Sequence, residues 1–251
     1  MRSLLRKEMR AQIPFAFLVA FLAVIDFVER LVSGFPDAKS LAGLMADSSE
    51  AGPFGFLCLM LAVALGLALL PRERDEGTLE FLDGLPCTRG QVFAAKAFTG
   101  IGILGLFPLL NNLMALTLHR LGRTSLDTPW PWAILGKMFA IEWTILIAFL
   151  GVGLALSYFR RFAFLMVGLL IAVFLVLDAI GVPHLALVDF TQVLNYTIRF
   201  GRLEVPWQSL MAFVAVGMTG YAVAFVVFQF QGDRAARIVA LIRSTKTTSL
   251  P

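Results

Sequence analysis

The sequence predicts an all-α, polytopic membrane protein: six transmembrane helices, an amphipathic helix at the N-terminus, and a second amphipathic helix between spans two and three. Three observations predict this class. Hydrophobic residues fill 59% of the 251 positions and charged residues only 15%, whereas a water-soluble domain is about a quarter charged. Apolar runs of membrane-crossing length recur along the chain, and basic residues gather at the ends of alternate runs. Helices are the expected form, because a bilayer interior leaves no water for open backbone groups and the alternating pattern of a barrel is missing.

The elements follow in order. Residues 1–12 are basic and lead into the apolar run 13–32. About 20 residues make about 30 Å of helix, enough to span the hydrocarbon. No small-residue cleavage site follows, so the run reads as a retained first span and not as a signal peptide. Further spans are expected at about 54–70, 91–118, 134–157, 163–182 and 207–230, with a tail at 231–251. The second is short, and the third is long enough to tilt or to begin outside the hydrocarbon. Between spans five and six, Leu185, Leu187, Val188, Phe190, Val193, Leu194 and Ile198 recur as in an amphipathic or re-entrant helix. No internal repeat stands out, and the chain reads as one domain.

Six spans place both termini on one side. Of the 21 Lys and Arg residues, fourteen then fall on that side and seven on the other. The positive-inside bias makes the first side cytoplasmic, and the Arg160–Arg161 pair in its short loop argues the same way. The net charge of +4 therefore reflects topology and does not call for a nucleic-acid partner. Cys58 lies in an apolar run and Cys87 in a charged loop, so neither a disulfide nor a metal site is implied.

The loop after span two is the most informative stretch. Glu73, Glu76, Glu80 and Asp83 are spaced 3, 4 and 3 apart, which stacks them on one helix face, while Leu79 and Leu82 lie on another. Gly84 and Pro86 stop that helix, and Thr88 with Gln91 forms a capping box for the next span. Four like charges within three turns repel one another, which suggests a partner or basic neighbours such as Arg72, Arg74 and Arg89. On spacing alone, a solvated helix at the membrane surface fits as well.

The run Glu73-x-x-Glu76-Gly77-Thr78-Leu79-Glu80-Phe81-Leu82, then Leu85-Pro86-x-Thr88-Arg89, then Lys96, resembles the signature of ABC exporter permeases of the type-2 class. That signature reads approximately E-x-E-x-G-T-L-E-x-L-L-x-x-P-x-S/T-R, followed by a Lys at the start of span three. Leu5-Arg6-Lys7-Glu8 resembles the family's amphipathic elbow helix, and Phe200-Gly201 is a weaker echo of its outer loop. Asp75 replaces the pattern's second Glu and keeps the charge, while Asp83, Gly84 and Cys87 depart from it in ways that touch loop packing.

The resemblance implies a coupling helix that docks on a separate ATP-binding-cassette ATPase subunit. Glu73, Glu76 and Glu80 would meet basic residues there, Leu79 and Leu82 would fill an apolar contact, and Gly77, Thr78 and Arg89 would complete the segment. It further implies pairing with a second permease copy or a homologue, in the cytoplasmic membrane. The chain lacks the G-x-x-x-x-G-K-[ST] phosphate loop, so no cofactor is expected on it, and ATP with Mg would bind the partner.

Polar residues within the spans are the candidate substrate pathway: Asp26, Glu29, Asn111, Asn112, Glu142 and Asp178. Carboxylates at membrane depth are costly and mark functional positions by default; here they could bind a cationic group of the cargo. Structural roles compete: Asp26 can pair with Arg30 one turn on, and Asn residues bond across helices. Gly100, Gly102, Gly105, Gly151, Gly153 and Ala155 permit close helix approach.

Two other function classes are considered. A secondary transporter driven by an ion gradient would be expected to show inverted repeats and broken helices at the midplane, and no such symmetry is evident. A membrane-embedded enzyme would need a nucleophile and base at depth, and no G-x-S-x-G or deep His supports one.

Overall fold

The computed structural model describes residues 2–34, 53–70, 88–120, 131–180, 197–199 and 202–247. The expected acidic helix within 71–87 lies outside the described residues, as do 35–52 and 181–196. The described chain is helical apart from one short hairpin. The helices are α1 (Arg2–Ala11), α2 (Ile13–Gly34), α3 (Pro53–Leu69), α4 (Arg89–Leu104), α5 (Leu106–Arg120), α6 (Pro131–Leu156), α7 (Ala163–Ala179) and α8 (Trp207–Thr247). Strands β1 (Thr197–Arg199) and β2 (Arg202–Glu204) pair antiparallel.

Among the described residues, three stretches are long and apolar enough to cross a membrane, Arg89–Met114, Ile134–Phe159 and Trp207–Gln229. Three shorter apolar helices, Ile13–Val28, Leu57–Leu69 and Ala163–Val173, occupy the other expected places. The surface is inside-out by the standards of a soluble protein. Phe17 is 73% exposed, Phe164 75% and Trp207 70%. Side chains of that size, distributed along α2, α7 and α8, require an apolar solvent.

Helix α6 is the central rod and packs between α3 and α8. Close approach on both of its faces depends on glycine. A Cβ at Gly66 would stand 2.7 Å from the Leu150 carbonyl, and one at Gly153 would collide with the Val63 carbonyl. On the opposite face, a Cβ at Gly151 would lie 2.6 Å from the Gly217 carbonyl, and one at Gly220 would meet the backbone of Gly151. With no hydrophobic drive between helices in lipid, such backbone contact is what holds them. Leu65, Met138, Ile141, Ile145, Leu150 and Leu154 fill the rest of the core. Gly102, by contrast, faces open space and supports no helix contact among the described residues.

The third apolar run, expected over 91–118, is one membrane-length stretch, Arg89–Met114, made of two consecutive helices, α4 and α5. Pro108 has no N–H to offer the Leu104 carbonyl and its ring crowds that turn, so the helix is interrupted at Gly105, although the Gly105 and Leu109 N–H groups still donate to Ile101 and Gly105. The Trp143 indole from α6 fills the break and donates to the Ile101 carbonyl at 3.1 Å.

Two further boundaries differ from expectation. The residues 231–247, read as a tail, continue α8 without interruption; no proline follows position 206 until 251, and Gly232 alone does not stop a helix. Ile198, expected in a re-entrant helix, lies instead in β1 opposite Leu203. The β-branched Thr197 and Ile198, with a glycine in the two-residue connection at 200–201, favour a hairpin. Arg160 and Arg161 sit in a 3-10 segment, Ser157–Phe162, that joins α6 to α7.

Candidate functional site

Two buried polar groupings stand out in a molecule that is otherwise apolar inside. The first surrounds the ends of segment 71–87. Where the chain leaves α3, the carbonyl of Leu69 belongs to the last turn and lacks an intrahelical donor by construction. Lys96, on α4, donates to it at 2.9 Å. The same ammonium pairs with the Glu8 carboxylate of α1 at 3.4 Å, both side chains being almost wholly buried. A cation at a helix C-terminus is favoured by the helix dipole, and the carboxylate offsets its burial. Gln12, one turn beyond Glu8, is also buried, and its Oε1 accepts no hydrogen bond.

Where the chain re-enters at α4, Thr88 closes the expected capping box. Its backbone is extended (φ −75°, ψ 150°), its hydroxyl accepts from the Gln91 N–H at 3.3 Å, and its own N–H donates to Gln91 Oε1 at 3.1 Å. Arg89 then donates to the Gln229 carbonyl of α8 at 3.4 Å. Phe93 stacks edge-on against Phe225 at 5.4 Å, next to Phe228. Both ends of 71–87 are therefore fixed, one to α1 and α4, the other to α8. Sequence reading singled out Thr88, Arg89 and Lys96, but not Glu8 as the partner of Lys96. The signal was one acid among the bases of an amphipathic helix.

The second grouping joins α2 to α5. Asp26 of α2 is 1% exposed, and its carboxylate accepts from Asn111 Nδ2 of α5 at 3.0 Å. The amide's other atom, Asn111 Oδ1, is buried and accepts nothing. Cys58 of α3 is wholly buried. Four candidate residues of the sequence thus divide: Asp26 and Asn111 bond directly, Glu142 is half-buried on α6, and Asn112 donates to Pro108 within its own helix at 2.7 Å. The side chains of Glu29 and Asp178 fall outside the described set, as do Glu73, Glu76, Gly77, Thr78, Leu79, Glu80 and Leu82. Cys58 was not anticipated; an isolated thiol in an apolar run carries no sequence signal.

Among the described residues, no three His, Cys, Asp or Glu side chains converge closely enough to hold a metal ion. A groove of about 400 Å³ between α2, α3 and α7, lined by Leu18, Leu57, Met60 and Phe164, is purely apolar. It offers a lipid-like surface and no chemistry.

A family model described as "ABC-2 family transporter protein" matches residues 10–215, most of the chain. The chain belongs to this family. The match runs from the last turn of α1 into α8, so it covers Asp26, Asn111, Thr88 and Lys96, while Glu8 and Gln229 lie outside it. A search of curated proteins finds no match. As an ABC-2 family member, the protein is a membrane component of a transport system, and its apolar helices are consistent with that placement. The family's membrane domains are not themselves catalysts as a rule, and the chain carries no phosphate-loop motif.

Proposed function

We propose that the protein is the six-span permease subunit of an ATP-driven exporter in the cytoplasmic membrane, with both termini in the cytosol. The segment 71–87 acts as a coupling helix. It docks on a separate ABC ATPase through Glu73, Glu76 and Glu80, with Leu79 and Leu82 in an apolar contact. ATP and Mg bind in that partner, and a second permease copy or homologue completes the pathway.

The observation that carries this reading is the Lys96 junction. A loop that must transmit force needs stiff ends. Here Lys96 ties the exit at Leu69 to α1, while Thr88 and Arg89 tie the re-entry to α8. Closure of two ATPase subunits would press on the segment and re-angle the helices attached to it, a rigid-body transition biased by ligand. An ion-driven transporter has no need of such a loop.

The test is to seek an ABC ATPase among the flanking genes, co-express it with this chain and purify in detergent. The two proteins should copurify, and reversing Glu76 and Glu80 together to Lys should release the ATPase while the permease stays folded. Failure of the wild-type proteins to copurify would overturn the reading. Retention of the ATPase by the charge-reversed variant would remove these two residues from the interface.

A further inference from the structure

We infer that the outward face of α1 binds the phosphates of anionic phospholipids through Arg6, Lys7 and Arg10. The site requires a lipid-facing α2 and no ATPase partner. Glu8 is the one acid in α1, and it turns inward to pair with the buried Lys96. Arg6, Lys7 and Arg10 are exposed, and none of them forms an ion pair or hydrogen bond among the described residues. One face of the helix is thus neutralised inside the protein, while the other carries three unpaired cations.

The residues that follow place this face at the edge of the hydrocarbon. Helical hydrogen bonds continue through Gln12, whose N–H donates to the Glu8 carbonyl and whose carbonyl accepts from Ala16, both at 3.1 Å. By helical spacing, Arg6, Arg10, Ile13, Phe17 and Phe21 then share one stripe, opposite Glu8 and the buried Gln12. Phe21, Phe17 and Ile13 are all exposed along it, large apolar side chains that call for acyl chains around them. Arg10 precedes Phe17 by about 10 Å of helix and Arg6 by about 16 Å. The stripe therefore runs from bare rings to bare cations within the depth of one leaflet, about 15 Å of hydrocarbon plus the headgroup layer. A guanidinium takes a phosphate through two parallel hydrogen bonds. A zwitterionic lipid brings its own ammonium to balance that phosphate, so unpaired cations select headgroups of net negative charge.

Lipid contact can be read at Phe17, where the chain of a lipid held by Arg6 and Arg10 would lie. Phe17→Cys in a Cys87→Ser background is labelled with bimane, and the full chain is reconstituted in phosphatidylcholine bilayers. Signal from the same protein without the new cysteine is subtracted. Quenching by phosphatidylglycerol brominated on its acyl chains is compared with quenching by brominated phosphatidylcholine at equal mole fraction. The anionic lipid should quench as though enriched about fivefold or more beside the label, the worth of one cation near an anionic surface. The enrichment should fall to about one in the Arg6→Gln, Lys7→Gln, Arg10→Gln variant, whose substituted side chains are exposed and bear no described contact. About 1 M potassium chloride should lower it at least twofold in the protein with the three cations intact. The same label at Met218, exposed midway along the apolar part of α8, should report a ratio of about one. Equal quenching by the two lipids at Phe17, the result if α1 instead meets an acidic protein surface, would overturn the proposal. So would an enrichment that persists in the triple variant, is indifferent to salt, or is as large at Met218.

Discussion

Lys96 and Glu8, 88 positions apart, meet in a buried ion pair of 3.4 Å that joins the N-terminal helix to the start of the third apolar run. Lys96 lies two turns into α4 and Glu8 in the last turn of α1, and the lysine also caps α3 where segment 71–87 departs. The pair is therefore a joint between elements more than a core contact, and it can be tested as one.

Removing one partner leaves the other buried and uncompensated, a loss of about 3–5 kcal/mol for a pair of this kind. Lys96→Met and Glu8→Gln should each lower thermal stability in detergent, Lys96→Met more, because it also uncovers the Leu69 carbonyl. The double variant should lose less than the two single losses added. Additive losses in a double-mutant cycle would mean that the pair is not coupled.

Thr88→Ala removes the hydroxyl that accepts from Gln91. A capping residue of this kind is worth about 1 kcal/mol. Amide exchange at Gln91 and Val92 should accelerate by about fivefold, with little effect on α6. Unchanged exchange would show that the turn is held by other means.

Glycines at the α6 contacts should tolerate nothing larger. Gly153→Val drives a side chain into the Val63 carbonyl and should cost at least about 1–3 kcal/mol. Gly102→Ala meets open space and removes a helix-weakening residue, so stability should hold or rise by up to about 1 kcal/mol. Similar melting shifts for the two would contradict the packing described for α6.

Asn111→Leu deprives the Asp26 carboxylate of a donor in an apolar setting. The expected cost is about 1–3 kcal/mol, and Asp26→Leu in addition should recover part of it. Hydrogen bonds between membrane helices average only about 0.6 kcal/mol in net worth, so a small single-variant loss with no recovery would mean that water already reaches the site.

The helical class, the positions of the apolar runs and the Thr88 cap were legible because each rests on a local rule. Composition fixes the solvent, run length fixes a span, and a Thr three residues before a Gln fixes a helix start. The motif through Lys96 was legible as a resemblance. What was not legible depends on contacts between distant segments. Nothing local pairs Glu8 with Lys96, or Asp26 with Asn111; those follow from how α1 lies against α4 and α2 against α5. The break at Gly105 was within reach, since Pro108 stands in the run, but its filling by Trp143 was not. The apolar part of α8 matches the span expected at 207–230, and the helix runs on through the polar residues to Thr247 because no helix breaker separates them from the span.

That last helix has a mechanical consequence. At 41 residues, α8 is about 60 Å long, and only Trp207–Gln229 is apolar. The remainder projects about 27 Å beyond the apolar stretch as the same continuous rod. A tilt of about 10° in the bilayer, well inside the usual range, swings its far tip by about 5 Å. Because Arg89 grips α8 at Gln229, where the polar portion begins, the loop's return point sits at the fulcrum of that lever. A small displacement at the fulcrum becomes a large excursion at the tip.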